Sequence, residues 1–367
     1  MTMKTVQFGV FIPVGNGGWI MSTTSPQLES TYAYNKEVTQ LAEQLGFDFA
    51  LSMAKWRGFG GPSRHWDYTL ESFTAMAALA ECTDRIKLWA TLHTMVWHPA
   101  VIAKMFATFD QVSSGRAGIN LVAGSNPTDQ GQMGLWRDLD HSQRYELAEE
   151  WITVAKRLWT EDRVTHSGTF FNLEDCMSYP KPTKIPPILC AGTSDTGFRF
   201  TITNCDYCFM GATGAGEMIR VGQRAKALGR ELGKQAKTMG LFMVVPGRTD
   251  LEAHERVDHY NEGVDLEALA NRTLEYSADV NTGNNTAKRM VDAGERRLAV
   301  SPSAIVGTPD TIADQLAQIV HDGDLDGVVV IMPDFINDLG VIGEQVLPRL
   351  ADRGVVGEHL TMAGAAS

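Results

Sequence analysis

Two predicted apolar strands each contain a polar side chain near the point where the strand ends. Asn120 lies among Ile, Leu and Val in the segment 117–124, and Thr91 lies in the segment 86–93. An amide and a hydroxyl at such positions could bind the polar edge of a ligand. The alternatives are an Asn that is satisfied by backbone groups and a Thr that simply favours a strand. Asn120 is the stronger functional candidate of the two.

Three further polar residues stand where helices are predicted to begin. Arg144 and Tyr145 open a long amphipathic helix, and Ser194 opens a short one. Helix N-termini bind anions such as phosphate, because free N–H groups and the helix dipole both favour negative charge. An arginine in the first turn opposes that dipole, so a bound anion would explain Arg144. A surface arginine is the alternative.

The segment after the third predicted strand contains His93, Trp97 and His98. A histidine there could act as an acid or a base near neutral pH. The alternative is a loop histidine that is hydrogen-bonded to backbone. No pair of histidines has the spacing of a zinc-binding helix, and the carboxylates are scattered, so no metal site is predicted.

The elements that must position these residues alternate between strand and helix along the whole chain. Eight apolar segments followed by helical patterns predict a single (β/α)8 TIM barrel over residues 1–367, with a polar excursion near 161–185 and a helical insertion near 251–300. The predicted strands are 6–14, 48–53, 86–93, 117–124, 186–193, 205–212, 238–247 and 326–334. Functional groups of such barrels follow the carboxyl ends of strands, where the candidates lie.

A doubly wound open sheet is the alternative fold. Its dinucleotide-binding form requires a G-x-G-x-x-G turn directly after the first strand. The glycine cluster at 15–18 lacks that spacing and leads into a long loop. The barrel is therefore the favoured prediction.

The composition of the chain excludes several classes of function. A formal net charge of −12 without a basic stripe argues against nucleic-acid binding. No segment is long and apolar enough to span a bilayer, and the N-terminus has no secretory pattern. The five scattered cysteines are typical of reduced thiols. We expect a cytoplasmic protein without membrane or nucleic-acid partners.

Several of these segments resemble the bacterial luciferase-like flavin-dependent monooxygenases, and most closely their pyrimidine monooxygenase branch. The similar stretches keep their order and spacing, and 305–316 resembles the late helix of the family. They are 8–27, 47–61, 65–80, 113–124, 132–136, 142–145, 190–195 and 241–245. This resemblance implies a luciferase-like barrel and the use of FMN.

The resemblance also implies roles for individual residues. Positions that match flavin contacts of the family are Ala54, Lys55, Asn120, Asp129, Arg144, Tyr145 and Ser194. Asp129 replaces the Glu of the pyrimidine enzymes, and Lys55 could instead pair with a carboxylate. Met53 and Thr91 resemble the small pocket that places dioxygen beside the flavin. His93 is added as a candidate catalytic residue, although the pyrimidine enzymes have no histidine there.

Two departures from the pyrimidine branch indicate a different substrate pocket. Ser125 stands where that branch has Trp, which would enlarge the pocket. Trp97 and His98 replace a small apolar segment. The possible stacking surfaces are Trp19, Trp56, Trp66 and Trp97. Together these changes indicate a planar substrate larger than uracil.

The resemblance leads to a functional hypothesis. A separate NAD(P)H-dependent flavin reductase would supply reduced FMN, and the enzyme would use dioxygen to cleave a carbon–nitrogen bond of a planar nitrogen heterocycle. Riboflavin, cleaved as by a riboflavin lyase to lumichrome and a sugar, is the first choice of substrate, and uracil or thymine is the alternative. The rival functions are a deazaflavin-dependent dehydrogenase and a noncatalytic flavin-binding protein. We also expect a homo-oligomer, and attachment of oxygen at flavin N5 or C4a stays open.

Overall fold

Eight parallel strands in the described part of the chain close into one barrel. The computed structural model describes residues 3–124, 127–192, 194–277 and 297–358. The barrel strands are β1 Lys4–Phe11, β2 Phe49–Leu51, β3 Lys87–His93, β4 Ala117–Val122, β7 Ile188–Cys190, β8 Tyr207–Met210, β9 Lys237–Pro246 and β11 Gly327–Ile331. They neighbour one another in chain order, and parallel pairing of β11 with β1 closes the ring. The predicted fold class is confirmed.

Helices follow the strands and form the outer layer. They are α1 Tyr32–Gln44, α2 Ser72–Glu81, α3 Pro99–Val112, α4 Pro127–Gly131, α5 His141–Thr160, α6 Asp195–Asn204, α7 Ala215–Glu231, α8 Asp250–Glu262, α9 Leu266–Ser277 and α10 Pro309–Asp322. The chain ends with α11 Asn337–Val341, a π-helical turn Ile342–Val346 and α12 Leu347–Asp352. None of the described helices combines the length and the apolar character that crossing a membrane requires.

Four short strands lie outside the barrel ring and were missing from the sequence prediction. The antiparallel hairpin of β5 Val164–Ser167 and β6 Asn172–Cys176 lies within the predicted polar excursion. β10 Ile305–Gly307 extends the end of β9, and β12 Val355–Gly357 pairs with the start of β1. Segments of three to five residues are too short for periodicity to reveal.

Helices α8 and α9 lie in the region where the helical insertion was predicted, and residues 278–296 lie outside the described part of the chain. α9 reaches back over the barrel mouth to the loop after β2, where Asn271 Nδ2 donates to the Phe59 carbonyl at 2.8 Å. The Ser63 backbone N–H donates to Asp265 Oδ2, just before α9, at 2.7 Å. We call α9 together with the loop after β2, which comprises residues 56–68, the roof.

The barrel interior below the mouth is filled by aromatic rings. Phe49 and Trp89 stack with their centroids 4.5 Å apart. A Cβ on Gly9 would lie 2.1 Å from the Phe49 ring, and one on Gly118 would lie 2.5 Å from Trp89. Glycine at these two positions therefore makes room for the rings. These rings therefore fill the lower barrel, below the carboxyl ends of the strands.

Candidate active site

A cavity of about 460 Å³ opens at the carboxyl ends of the barrel strands. Its size falls in the range of about 300–1,000 Å³ that small-molecule and cofactor sites occupy. The residues predicted from sequence that line it are Met53, Ala54, Lys55, Thr91, His93, Asn120, Arg144, Tyr145 and Ser194. The structure therefore brings most of the candidates into one cavity, although they come from five separate segments of the chain.

The floor of the cavity contains a short chain of hydrogen bonds between strand ends. Thr91 and Asn120 are direct neighbours in the β3–β4 register. Asn120 Nδ2 donates to Thr91 Oγ1 at 3.0 Å, and Thr91 Oγ1 donates in turn to the Ser52 carbonyl. Ser72 Oγ accepts from the Thr91 backbone N–H at 2.8 Å. This chain fixes the orientation of the Asn120 amide.

The fixed amide leaves one acceptor open on the floor. Asn120 is only 4% exposed, and its Oδ1 has no hydrogen-bond partner in the described part of the chain. A buried polar atom without a partner is unfavourable, so a ligand N–H is expected to satisfy it. Apolar and aromatic side chains surround the floor: Phe11, Met53, Phe209, Leu241 and Ile331. An apolar slot with one aimed acceptor fits an isoalloxazine ring, whose polar edge contains both N–H and carbonyl groups.

A second part of the cavity is suited to phosphate. Ser194 caps α6, and its Oγ accepts from the Gly197 N–H at 3.0 Å and contacts His141 Nε2 at 3.1 Å. Arg144 is buried at the start of α5 and lies over Trp136, 5.8 Å from the ring centroid. A guanidinium, an imidazole and the start of a helix together favour a dianion. The structure thus brings His141, Arg144 and Ser194 into one cavity, and their binding of an anion stays a prediction.

Glycines shape this end of the cavity around Tyr145. A Cβ on Gly192 would lie 2.8 Å from Tyr145 Oη, and one on Gly197 would lie 2.6 Å from it. Both positions therefore need glycine for the phenol to stand between β7 and α6. Tyr145 lines the cavity, so the hydroxyl is positioned to help hold an anion there.

The charged groups of Lys55 and Asp129 belong to a buried cluster, although both residues were predicted to contact the flavin. Lys55 Nζ lies 2.6 Å from Glu275 Oε1 on α9 and 3.6 Å from Asp129 Oδ1. Asp129 Oδ1 also accepts from the N–H groups of Trp56 and Arg57 at 3.0 and 2.6 Å. Asp129 is fully buried and does not line the cavity. The carboxylate that was expected at the cofactor thus holds the β2 exit and the roof in place.

His93 is placed to support the wall rather than to exchange protons. Its Nδ1 lies 3.1 Å from Gln130 Nε2, and its Nε2 lies 3.3 Å from the Ala54 carbonyl. An amide N–H must donate to Nδ1, so Nε2 carries the proton and donates to the carbonyl. Burial lowers the pKa of His93, which keeps the ring neutral. This geometry favours the backbone-bonded alternative over acid–base catalysis.

The predicted substrate residues Trp97 and His98 do not lie on the cavity wall. The Trp97 carbonyl accepts from Trp151 Nε1 at 2.6 Å, behind the barrel mouth. His98 is exposed and caps α3, where its Nδ1 accepts from the Ala100 N–H at 3.2 Å. The Trp97 ring lies 6.4 Å from that of Trp56 in the loop after β2, and the His98 ring meets that of Phe171 edge to face at 5.4 Å. Ser125 lies outside the described residues.

Aromatic and roof residues complete the wall. Of the four tryptophans proposed as stacking surfaces, Trp19 and Trp66 line the cavity, and they meet edge to face at 5.3 Å. The sequence analysis missed His65, Arg272 and Tyr276, which also line it. His65 falls inside one of the family-like stretches, so the sequence contained a signal that could have identified it as a site residue. Arg272 and Tyr276 lie on a charged helix whose pattern does not point to a site.

Comparison with known proteins then places the chain in a family. The model of the luciferase-like monooxygenases matches residues 6–326. The protein belongs to this family. The match extends from the first barrel strand to residue 326, directly before β11, so it covers the strand exits that form the site except that of β11. An oxygenase is therefore favoured over the deazaflavin-dependent dehydrogenase and the noncatalytic flavin-binding protein.

Its similar relatives include pyrimidine monooxygenases. The chain is 35% identical over 359 residues to the pyrimidine monooxygenase RutA of Acinetobacter baylyi, with 96% of this chain and 97% of the relative covered. It is 38% identical over 360 residues to RutA of Methylorubrum extorquens, with 97% and 99% covered. The protein is thus a luciferase-like, flavin-type monooxygenase.

A solved riboflavin lyase has a similar fold. The TM-score is 0.84, with 21% identity over 96% of this chain and 93% of the other, and that structure contains modified FMN and riboflavin. At this identity the likeness concerns the fold alone. Because the pyrimidine monooxygenases are much more similar in sequence, they favour the alternative substrate, a pyrimidine, over riboflavin, the first choice.

Proposed function

We propose that the protein is a pyrimidine-type oxygenase that uses reduced FMN and dioxygen to cleave a ring carbon–nitrogen bond. The observation that carries this proposal is the open Asn120 Oδ1 acceptor on a floor that is otherwise closed by hydrogen bonds. End-to-end similarity to pyrimidine monooxygenases supports the choice of substrate class. FMN, when bound, supplies the oxygen chemistry, and the protein orients and shields it.

The floor residues have separate roles in this proposal. Thr91 holds the amide of Asn120 so that Oδ1 accepts a hydrogen bond from an N–H group of the flavin or the substrate. The Met53 side chain keeps the adjacent space apolar, which excludes water from the reacting atoms. His93 fixes the Ala54 carbonyl, and with it the end of β2.

The phosphate of FMN is assigned to the end of the cavity away from the floor. Arg144, Tyr145 and Ser194 hold the phosphate, while the backbone at Ala54 and Lys55 borders the ring. Reduced FMN comes from a separate NAD(P)H-dependent flavin reductase, as the family resemblance implies. A homo-oligomer stays a prediction.

The test is turnover with defined substrates. Purified protein is incubated with FMN, a flavin reductase, NADH, oxygen and either uracil, thymine or riboflavin, and substrate loss is followed by chromatography. We expect loss of uracil or thymine that depends on oxygen and exceeds the loss with reductase alone. Cleavage of riboflavin with both pyrimidines untouched would overturn the substrate assignment. Turnover without oxygen would overturn the oxygenase assignment.

A further inference from the structure

Two polar atoms on the roof of the cavity have no hydrogen-bond partner among the described residues. They are Nε of Arg272 on α9 and Nδ1 of His65 in the loop after β2. Both residues line the cavity. The charge of Arg272 also contributes to the lowered pKa of His65. The roof therefore contains an unmatched pair of potential donors.

The carboxylates near Arg272 are bound to other groups. Glu275, on the same helix, pairs with Lys55 at 2.6 Å. Asp265 accepts from the N–H and the hydroxyl of Ser63 at 2.7 and 2.5 Å. Burial lowers the pKa of Arg272, with only Tyr276 acting in the other direction. Nε of Arg272 is buried, and a buried charged group that has no counter-charge among the described residues is unfavourable, so an anion supplied by a ligand would stabilise it.

This cation is separate from the predicted phosphate site. Arg144 and Ser194 lie at helices that follow β4 and β7. The roof lies at the end of β2, where α9 contacts the loop after that strand. In the ring, β3 and β4 separate β2 from β7. A flavin phosphate held by Arg144 and Ser194 would leave Arg272 for another ligand.

The surroundings of Arg272 suit a planar molecule. Trp19 and Trp66 present ring surfaces to the cavity, and the Trp66 ring lies 5.0 Å from that of His65. A neutral imidazole can place its proton on Nδ1 and donate beside the guanidinium. Guanidinium groups bind carboxylates and similar anionic oxygens through paired N–H donors.

We propose that Arg272 and His65 bind an anionic oxygen of the substrate, so that among planar nitrogen heterocycles this enzyme prefers one with a carboxylate or an acidic ring oxygen. The proposal rests on the proposed function, since it names the substrate class of the same cavity. It adds a preference for an anionic heterocycle over neutral uracil or thymine.

The test measures equilibrium binding to the FMN-loaded protein, by calorimetry. The probes are neutral uracil, uracil-6-carboxylate and barbiturate, which supplies an acidic ring oxygen. We expect at least one anionic probe to bind about 10-fold tighter than uracil, and the probe that does so identifies the source of the negative charge. Arg272→Gln should weaken that probe by about 10- to 100-fold, as expected for loss of a charged hydrogen bond. Uracil and FMN affinities should change less than about 3-fold.

Three further variants show whether the effect depends on the position of the arginine, on its charge and on His65. Arg64→Gln removes an exposed arginine of the same roof loop and should leave all affinities unchanged. Arg272→Lys keeps the charge and should retain part of the preference, which covers the case in which Arg272→Gln fails to fold. His65→Phe should lose a smaller part. Equal binding of neutral and anionic probes, or loss of FMN affinity in Arg272→Gln, would overturn the proposal.

The turnover assay fails or succeeds independently of this binding test. An Arg272-dependent preference for an anion without oxygen-dependent turnover would refute the proposed oxygenase reaction and leave the anion subsite standing. Turnover of uracil with no preference for an anion would refute the anion subsite and leave the proposed oxygenase reaction standing.

Discussion

The floor and the roof of the cavity each contain a polar group without a partner among the described residues, but the group on the floor is an acceptor and the group on the roof is a cation. On the floor, strand ends place Thr91, Asn120 and Ser52 in one hydrogen-bonded chain, with a single acceptor left open. On the roof, a helix from an insertion brings Lys55 and Glu275 together and leaves Arg272 without a carboxylate partner among the described residues. In the functions proposed above, the floor serves the oxygen chemistry and the roof serves the choice of substrate.

The largest expected effect concerns the ion pair that joins the two regions. Lys55→Met leaves Glu275 and Asp129 buried without their cation, which should lower the free energy of unfolding by about 3–5 kcal/mol. Urea denaturation of the purified variant measures it. The matched control is Lys87→Met, whose partner Glu358 is partly exposed, so the loss there should be below about 1 kcal/mol. Equal losses would show that the roof is not held by this pair.

The next effect tests the floor. Asn120→Ala should lower kcat about 10²- to 10³-fold, the usual loss when an aimed polar group is removed from a site of this kind. Thr91→Val should lower kcat by about 10-fold, because it frees the amide of Asn120 to rotate. Steady-state turnover, with FMN affinity measured in parallel, checks both.

Thr91→Ser is the control for the floor, since it keeps the hydroxyl and should keep most of the activity. Full activity in Asn120→Ala would remove the floor from the mechanism. A loss of kcat matched by an equal loss of FMN affinity would instead assign Asn120 to binding of the cofactor.

Sequence analysis predicted the floor far better than the roof. Polar residues at strand ends are visible because the surrounding strand is apolar, and the barrel places all strand exits together. The roof depends on contacts between α9 and the loop after β2, more than 200 residues apart in sequence for Lys55 and Glu275. Such a contact leaves no local pattern. His98 was misplaced for a related reason, since sequence cannot tell on which side of a turn a side chain emerges.

The third prediction concerns the pH dependence of the roof. Burial, with a further contribution from Arg272, lowers the pKa of His65 from 6.5 to about 3, while Asp265 opposes the shift. Below pH 6.5 the unfolded chain therefore takes up a proton at this residue and the folded chain does not. The free energy of unfolding should fall, relative to that of His65→Gln, by about 1.4 kcal/mol per pH unit between pH 6.5 and 3.

Urea denaturation of both proteins at several pH values checks this slope. Parallel curves for the two proteins would mean that His65 is protonated in the folded state. In that case the imidazolium would strengthen an anion subsite beside Arg272, and the affinity for an anionic ligand would rise as the pH falls. A constant affinity over the same range is expected if His65 stays neutral.

The smallest effect tests the revised position of His98. Its ring nitrogen accepts from the Ala100 N–H at the start of α3, away from the cavity. His98→Ala should therefore cost about 1 kcal/mol of stability, as loss of a helix cap does, and leave kcat and KM unchanged. His98→Asp should restore the stability, because a carboxylate caps well and also favours the helix dipole. A change in KM with stability intact would return His98 to the substrate pocket, and the turn after β3 would then have to rearrange when substrate binds.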